Sequence, residues 1–150
     1  MGKILIVGVG NRLRCDDGVG SHIVDLLKER VKDVEVIDAG TVPENYLESI
    51  IQKRPQRVLI VDACLFDGKP GEFRLFEPET FENLRLSNFS THTLPLNLIA
   101  QLIITKTNAK VYLLGIQPAQ RGFGEKLSPV LSATLPKILN YIEEWILAPI

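Results

Sequence analysis

Short apolar runs that alternate with helical patterns are the feature that most limits the fold of this chain. The apolar runs are rich in β-branched residues and occupy positions 4–7, 34–37, 57–62 and 111–116. Helical spacing of apolar residues marks positions 17–30, the segment opened by Pro43, and positions 94–105 and 128–147. Strands that alternate with helices in this way predict a three-layer α/β sandwich, in which helices cover both faces of a twisted, mostly parallel sheet.

The fourth strand breaks this alternation. Too few residues separate Asp62 from the apolar segment 71–76 for a crossover helix, and Asp67 and Gly68 form a turn signal. We therefore expect a sheet of about five strands with one antiparallel strand at its edge. In the last helix, Pro129 suits the first turn, whereas Pro136 predicts a kink or a restart.

Length and composition limit the setting of the protein. The chain has 150 residues, of which 45% are apolar and 23% charged, and its formal net charge is −1. We expect one domain over residues 1–150 and a cytoplasmic monomer, with no membrane insertion and no nucleic-acid partner, because no basic stripe or long apolar run is present. Cys15 and Cys64 match no disulfide or redox spacing, and Cys64 is expected to be a small buried residue.

Acidic residues follow the predicted strands. Asp38 ends the second strand and Asp62 the third, while Asp16 and Asp17 start the helix after the first. His92 stands in a polar segment just before another helix. Because parallel strands end at one edge of a sheet, we expect the four acids on one rim, where carboxylates and an imidazole suit a divalent metal.

Each of these residues also has an ordinary interpretation. Asp16 or Asp17 could cap the first helix, Asp38 could serve a loop turn, and His92 could be a loop histidine.

A dinucleotide site is disfavoured, because Leu13 stands where the third glycine of that fingerprint is needed and two carboxylates would repel a phosphate. Asp62 is the strongest candidate, because a carboxylate closing an apolar strand needs an ionic or hydrogen-bonding partner.

Several motifs follow one another along the chain, namely Gly8-Val9-Gly10-Asn11, Asp16-Asp17-Gly18-Val19-Gly20, Asp38-Ala39-Gly40-Thr41, Val61-Asp62-Ala63, Thr91-His92-Thr93-Leu94-Pro95-Leu96 and Gly115-Ile116-Gln117-Pro118. Taken together, they resemble the motifs of the [NiFe]-hydrogenase maturation endopeptidases, and most closely the branch that serves the hydrogenase of formate hydrogenlyase. The resemblance covers nearly the whole chain.

The resemblance implies roles for individual residues. Asp17, Asp62 and His92 match the family's nickel-associated ligands. Asp38 matches the acid of a box associated with substrate handling or cleavage, in which Ala39 replaces a glycine of the family pattern. The four residues Asp17, Asp38, Asp62 and His92 are therefore the expected catalytic set.

The resemblance also implies an activity, which is removal of the C-terminal extension from the large-subunit precursor of a [NiFe]-hydrogenase after nickel insertion. The family is classed as aspartic-type, and the nickel is expected to come with the precursor, although another divalent ion should be able to bind in vitro. The metal could assist cleavage, with Asp38 or Asp16 as general base, or it could only position the substrate. Two other functions remain open, a metal-binding hydrolase of a small substrate and a non-enzymatic nickel-site assembly protein.

Overall fold

The computed structural model describes residues 3–83, 85–86 and 94–149. The strands are β1 (Ile4–Val9), β2 (Glu35–Gly40), β3 (Arg57–Leu65), β4 (Phe73–Phe76), β5 (Arg85–Leu86) and β6 (Lys110–Ile116). The helices are α1 (Val19–Leu27), α2 (Leu47–Gln52), α3 (Leu96–Thr107) and α4 (Pro129–Leu147). Turns of 3-10 helix cover Cys15–Gly18, Pro43–Tyr46 and Pro78–Asn83.

The strand order of the main sheet is β2-β1-β3-β6-β4. Neighbouring strands pair in parallel except β4, which runs antiparallel to β6 at the edge. This confirms the predicted sheet, including its antiparallel edge strand. The two-residue strand β5, which pairs with Cys64 and Leu65 at the end of β3, was not predicted because two residues give no periodic signal.

Helices cover both faces of the sheet, as predicted. One apolar core lies between the sheet and helices α1 and α4, and a second lies between the sheet and helices α2 and α3. Along β3, Leu59 and Val61 belong to the first core, whereas Val58 and Ile60 belong to the second. Because side chains alternate along a strand, Asp62 lies on the α2 and α3 face.

Three local predictions need correction. The first helix begins as a 3-10 turn, and α1 itself follows Gly18 without a side-chain cap, so neither Asp16 nor Asp17 is its N-cap. The third strand continues past Asp62 as far as Leu65, so Asp62 lies within it. The last helix continues through Pro136 without a restart, and it begins at Pro129 with Ser128 as N-cap.

No helix among the described residues is long and apolar enough to cross a bilayer. The helices instead bury one face each against the sheet, and α4 buries Leu131, Ile138, Leu139 and Ile142.

Candidate active site

The candidate site lies where the strand order of the sheet reverses. From β1 the chain crosses to β2 on one side, and the next strand, β3, pairs with β1 on the other side. Open α/β sheets bind ligands in the crevice outside the strand ends at such a reversal. The 3-10 turn Cys15–Gly18, called the acidic turn below, follows β1 and contacts β3 at this crevice.

Glycines let the acidic turn approach the strands closely. A Cβ atom added to Gly20 would lie 2.3 Å from the carbonyl oxygens of both Val9 and Val61, and one added to Gly10 would lie 2.8 Å from the carbonyl oxygen of Asp17. The two distances of 2.3 Å from the added Cβ atom of Gly20 are far shorter than real carbon–oxygen contacts. The missing side chains therefore bring the turn that carries Asp17 against the ends of β1 and β3.

Asp17 is a buried carboxylate held between two arginines. Its side chain is 1% exposed, and the Arg121 Nε atom donates to Oδ1 at 2.9 Å. Arg14 Nε lies 3.7 Å from Oδ2, beyond hydrogen-bond distance, and Oδ2 accepts no hydrogen bond from the described residues. Burial raises the pKa of Asp17 above its ordinary value, and the two arginines oppose this shift without cancelling it.

Asp62 is the second buried carboxylate, with a relative exposure of 0%. It lies opposite Gly115 in the ladder between β3 and β6, where an added Cβ atom would lie 2.8 Å from the Cβ atom of Cys64. Two residues further on, burial and the charge of Asp62 raise the pKa of Cys64 to about 12. A thiol with this pKa is not a nucleophile at neutral pH, which agrees with the prediction that Cys64 is a small buried residue.

Asp16 has a structural role that its sequence position did not reveal. Its Oδ2 atom accepts hydrogen bonds from the amides of Ala119 and Gln120 and from the Ser128 hydroxyl, and Oδ1 accepts from the Ser128 amide at 2.7 Å. These four bonds tie the acidic turn to the start of α4. Because the donors already engage both oxygens, the arrangement disfavours Asp16 as a general base.

Asp38 lies in a different network, on β2. Its carboxylate accepts hydrogen bonds from Arg12 and the Ser21 hydroxyl, both at 2.8 Å, and from the Gly40 amide at 3.1 Å. Burial alone would raise the pKa of Asp38, but these donors outweigh it and lower the pKa. Asp38 is therefore held in its ionised form, which is a weak base at neutral pH.

The alanine that departs from the family box is accommodated without strain. The positive backbone angle of this loop falls on Gly40, with φ of +58°, and Ala39 is not among the residues with positive φ. Ala39 is also buried in the core between the sheet and helices α2 and α3. The departure from the family pattern therefore leaves the backbone around Asp38 intact.

His92 lies outside the described residues. In the ranges 3–83, 85–86 and 94–149, no three His, Cys, Asp or Glu side chains come together as a metal-binding group. The structure thus brings the turn that carries Asp17 against β3, which carries Asp62, shows Asp38 in its own network with Arg12, and does not test the histidine of the predicted set.

Comparison with known proteins identifies the chain. The family model described as hydrogenase maturation protease matches residues 21–145. This chain belongs to the hydrogenase maturation protease family. The match covers most of the sequence, including β2, β3, β6 and the acids Asp38 and Asp62.

Individual members of the hydrogenase maturation protease family agree along most of their lengths. A putative hydrogenase maturation protease of Methanocaldococcus jannaschii is 37% identical over 125 residues, which is 77% of this chain and 72% of the relative. The hydrogenase 3 maturation protease of Escherichia coli K12 is 34% identical over 143 residues, 94% of this chain and 89% of the relative. A crystal structure of a [NiFe] hydrogenase maturation protease from Thermococcus kodakarensis matches with a TM-score of 0.82 and 35% identity, covering 95% of this chain and 91% of that one.

Membership of the hydrogenase maturation protease family makes the chain a hydrolase that cleaves peptide bonds. It does not explain the arginines around the acids, which sequence reasoning missed. Arg12, Arg14 and Arg121 lack a motif that would distinguish them from surface arginines, and Arg121 is more than a hundred positions away from Asp17. Only the folded loops show that these arginines contact the carboxylates.

Proposed function

We propose that this protein is the endopeptidase that removes the C-terminal extension of a [NiFe]-hydrogenase large-subunit precursor after nickel has been inserted. One observation carries the proposal. Two fully buried carboxylates, Asp17 and Asp62, belong to the acidic turn and to β3, which meet at the crevice where this fold binds ligands. The names of the relatives supply the class of substrate.

The electrostatics of the crevice favour a cation. Removing two carboxylates from water is costly unless positive charge or hydrogen bonds compensate them. In the protein alone, Arg121 and Arg14 provide positive charge beside Asp17. The raised pKa of Asp17 shows that this compensation is incomplete, so a divalent ion that reached the crevice would be attracted there.

We propose that this ion is the nickel carried by the precursor, with Asp17, Asp62 and His92 as its ligands from the protease. Oxygen and imidazole ligands suit nickel, and an incomplete protein ligand set leaves positions for ligands from the substrate. Coordination of the precursor's nickel by these ligands then contributes binding energy that positions the scissile bond. A precursor without nickel lacks this contribution. Another divalent ion, at sufficient concentration, should occupy the same ligands in vitro.

Asp38 has a different proposed role. Three donors hold it as a carboxylate, and its pKa is lowered, which suits a residue that fixes the loop around Arg12 better than one that takes up a proton. We therefore propose that Asp38 handles the substrate segment, and that Asp17 and Asp62 act by holding the nickel-bearing segment in place. This is the sense in which we propose an aspartic-type enzyme.

The remaining parts of the proposal concern the setting. We propose that residues 1–150 act as one domain and as a monomer in the cytoplasm. Within the family, we propose the branch that serves the hydrogenase of formate hydrogenlyase. The findings that support this branch are the family-model match over residues 21–145 and the hydrogenase 3 relative.

The test is incubation of the purified protein with a nickel-loaded and a nickel-free precursor, followed by mass spectrometry of the precursor. We expect loss of a C-terminal fragment from the loaded precursor only. Asp62→Asn and His92→Ala should reduce this cleavage to the background rate, whereas Asp33→Asn, which changes an exposed acid, should keep the wild-type rate. Equal cleavage of both precursors, or wild-type rates in the two site variants, would contradict the proposal.

A further inference from the structure

Two loops beside the acidic turn form a paired, ordered structure. Residues 11–15 and 120–124 are joined by hydrogen bonds from the Gly124 amide to the Leu13 carbonyl at 2.9 Å and from the Cys15 amide to the Gly124 carbonyl at 2.7 Å. A third bond joins the Asp16 amide to the Gln120 carbonyl at 2.9 Å. We call these two segments the loop pair.

The loop pair exposes two large apolar side chains. Leu13 is 61% exposed and Phe123 is 89% exposed, and they stand on backbones that bond to each other through Leu13 and Gly124. The Arg14 guanidinium lies 5.5 Å from the centre of the Phe123 ring, within the range of a cation–π attraction. These side chains are thus exposed to water on a backbone that is already hydrogen-bonded. A partner that covers them buries apolar area, and little conformational entropy of the backbone is lost on binding.

The backbone of the loop pair is also conformationally unusual. Cys15 has a φ of +49°, a left-handed backbone conformation that residues other than glycine rarely adopt. Gly124 has a φ of +153°. A Cβ atom at Gly124 would lie 2.8 Å from the Cys15 sulfur. Such positions persist when surrounding contacts determine them, and they concentrate at binding and catalytic sites.

The loop pair is continuous with the candidate active site. Arg14 belongs to its first segment and Arg121 to its second, and both guanidinium groups approach the carboxylate of Asp17. Any polypeptide that reaches Asp17 therefore passes next to the loop pair.

We propose that Leu13 and Phe123 form a docking surface for an apolar side chain of the hydrogenase precursor, in the polypeptide segment next to its nickel. This inference rests on the proposed function, because it takes the partner of Asp17 to be a protein. Aromatic side chains on ordered loops are typical anchors of protein interfaces. The surface adds affinity that is independent of nickel, whereas Asp17 and Asp62 respond to the metal.

The test compares Leu13→Ser, Phe123→Ser and the double variant with wild type, using the nickel-loaded precursor as substrate. We expect KM to rise about tenfold for Phe123→Ser and further for the double variant, from lost burial of the side chain, with kcat unchanged. Leu147→Ser, which changes an 83% exposed leucine at the end of α4, serves as control and should keep the wild-type KM. All variants should unfold at the wild-type temperature, because the side chains removed are exposed.

Two results would overturn the docking surface. One is an unchanged KM in the double variant. The other is a wild-type dimer in size-exclusion chromatography with light scattering that the double variant abolishes, because a second copy would then be the occupant. Binding of the precursor to immobilised protein, measured in parallel, tests the surface even if the wild type fails to cleave, so failure of the docking surface and failure of the proposed function are distinguishable.

Discussion

Replacing the two adjacent acids of the acidic turn by asparagine should have opposite consequences for stability. Asp16 and Asp17 are neighbours in sequence and both are buried, at 0% and 1% exposure. Asp16→Asn and Asp17→Asn keep the size of each side chain, remove its charge and replace one acceptor oxygen by an NH2 donor. We expect the first change to destabilise the protein strongly and the second to leave its stability unchanged or to raise it.

The magnitudes follow from the contacts of each carboxylate. The Asp16 carboxylate accepts four hydrogen bonds, three at Oδ2 and one at Oδ1. In Asp16→Asn the amide nitrogen would face the Ser128 amide, which leaves buried donors unsatisfied, and the three other bonds would lose their charge. One unsatisfied donor costs about 1–3 kcal/mol and neutral bonds contribute less than charged ones, so we expect a loss of about 3 kcal/mol in the free energy of unfolding.

Among the described residues, Asp17 accepts one hydrogen bond, from Arg121, whose side chain is 32% exposed and can be solvated by water. The raised pKa of Asp17 shows that burial disfavours its charge in the folded protein. Removing that charge should therefore change the free energy of unfolding by less than about 1 kcal/mol, or increase it. Asp17 would then be a residue that does not stabilise the fold, which is expected of a carboxylate that serves function.

Urea unfolding at neutral pH, followed by circular dichroism, measures both changes on one scale. The expected difference between the two variants is about 2 kcal/mol or more, with Asp16→Asn the less stable. Equal losses at both positions would refute the reasoning, because they would mean that Asp17 also has a structural role. A loss below about 1 kcal/mol for Asp16→Asn would show that its four hydrogen bonds contribute little.

Two further predictions concern the backbone contact and the second acidic network. Gly20→Ala should destabilise the protein by about 2 kcal/mol or more, because its Cβ would lie 2.3 Å from two carbonyl oxygens. Gly122→Ala serves as control. Its Cβ would meet no atom within 4 Å, so it should change stability by less than about 0.5 kcal/mol. Thermal melts distinguish the two, and equal melting temperatures would contradict the close approach. Because the folded pKa of Asp38 is lowered, its charge stabilises the fold above the ordinary pKa of 3.8 and this contribution is lost as the pH falls through the folded pKa. The stability difference between wild type and Asp38→Asn should therefore shrink between about pH 6 and about pH 3, and urea titrations in which the difference stays constant would argue against the Arg12 pairing.

The sheet could be predicted from the sequence because each strand carries its own signal. Strand β3 shows a continuous apolar run, since both faces of a central parallel strand are covered by helices. Edge strand β4 is preceded by a turn signal and by too short a connection for a parallel crossover. The ends of the elements were less certain, because chain context decides whether residues such as Gly18 continue a helix or end a turn.

The acids of the site could be predicted, but their partners could not. Asp17 and Asp62 stand near strand ends that meet in a parallel sheet, which local sequence already indicates. The contacts of Asp16 with Ser128 and of Asp17 with Arg121 join positions more than a hundred residues apart. No local pattern distinguishes two neighbouring aspartates, so only the folded structure shows that one bonds to the start of α4 while the other contacts Arg121.

The bonds between Asp16 and the start of α4 also bear on when the protein becomes active during its synthesis. The acidic turn at residues 15–18 is synthesised more than a hundred residues before the Ser128 groups that fix it. A ribosome-bound chain without α4 can pair β1 with β3, yet it lacks the donors that fix the turn. Proteolytic competence should therefore appear only after the last helix has emerged, so an incomplete nascent chain would not cleave polypeptides around it.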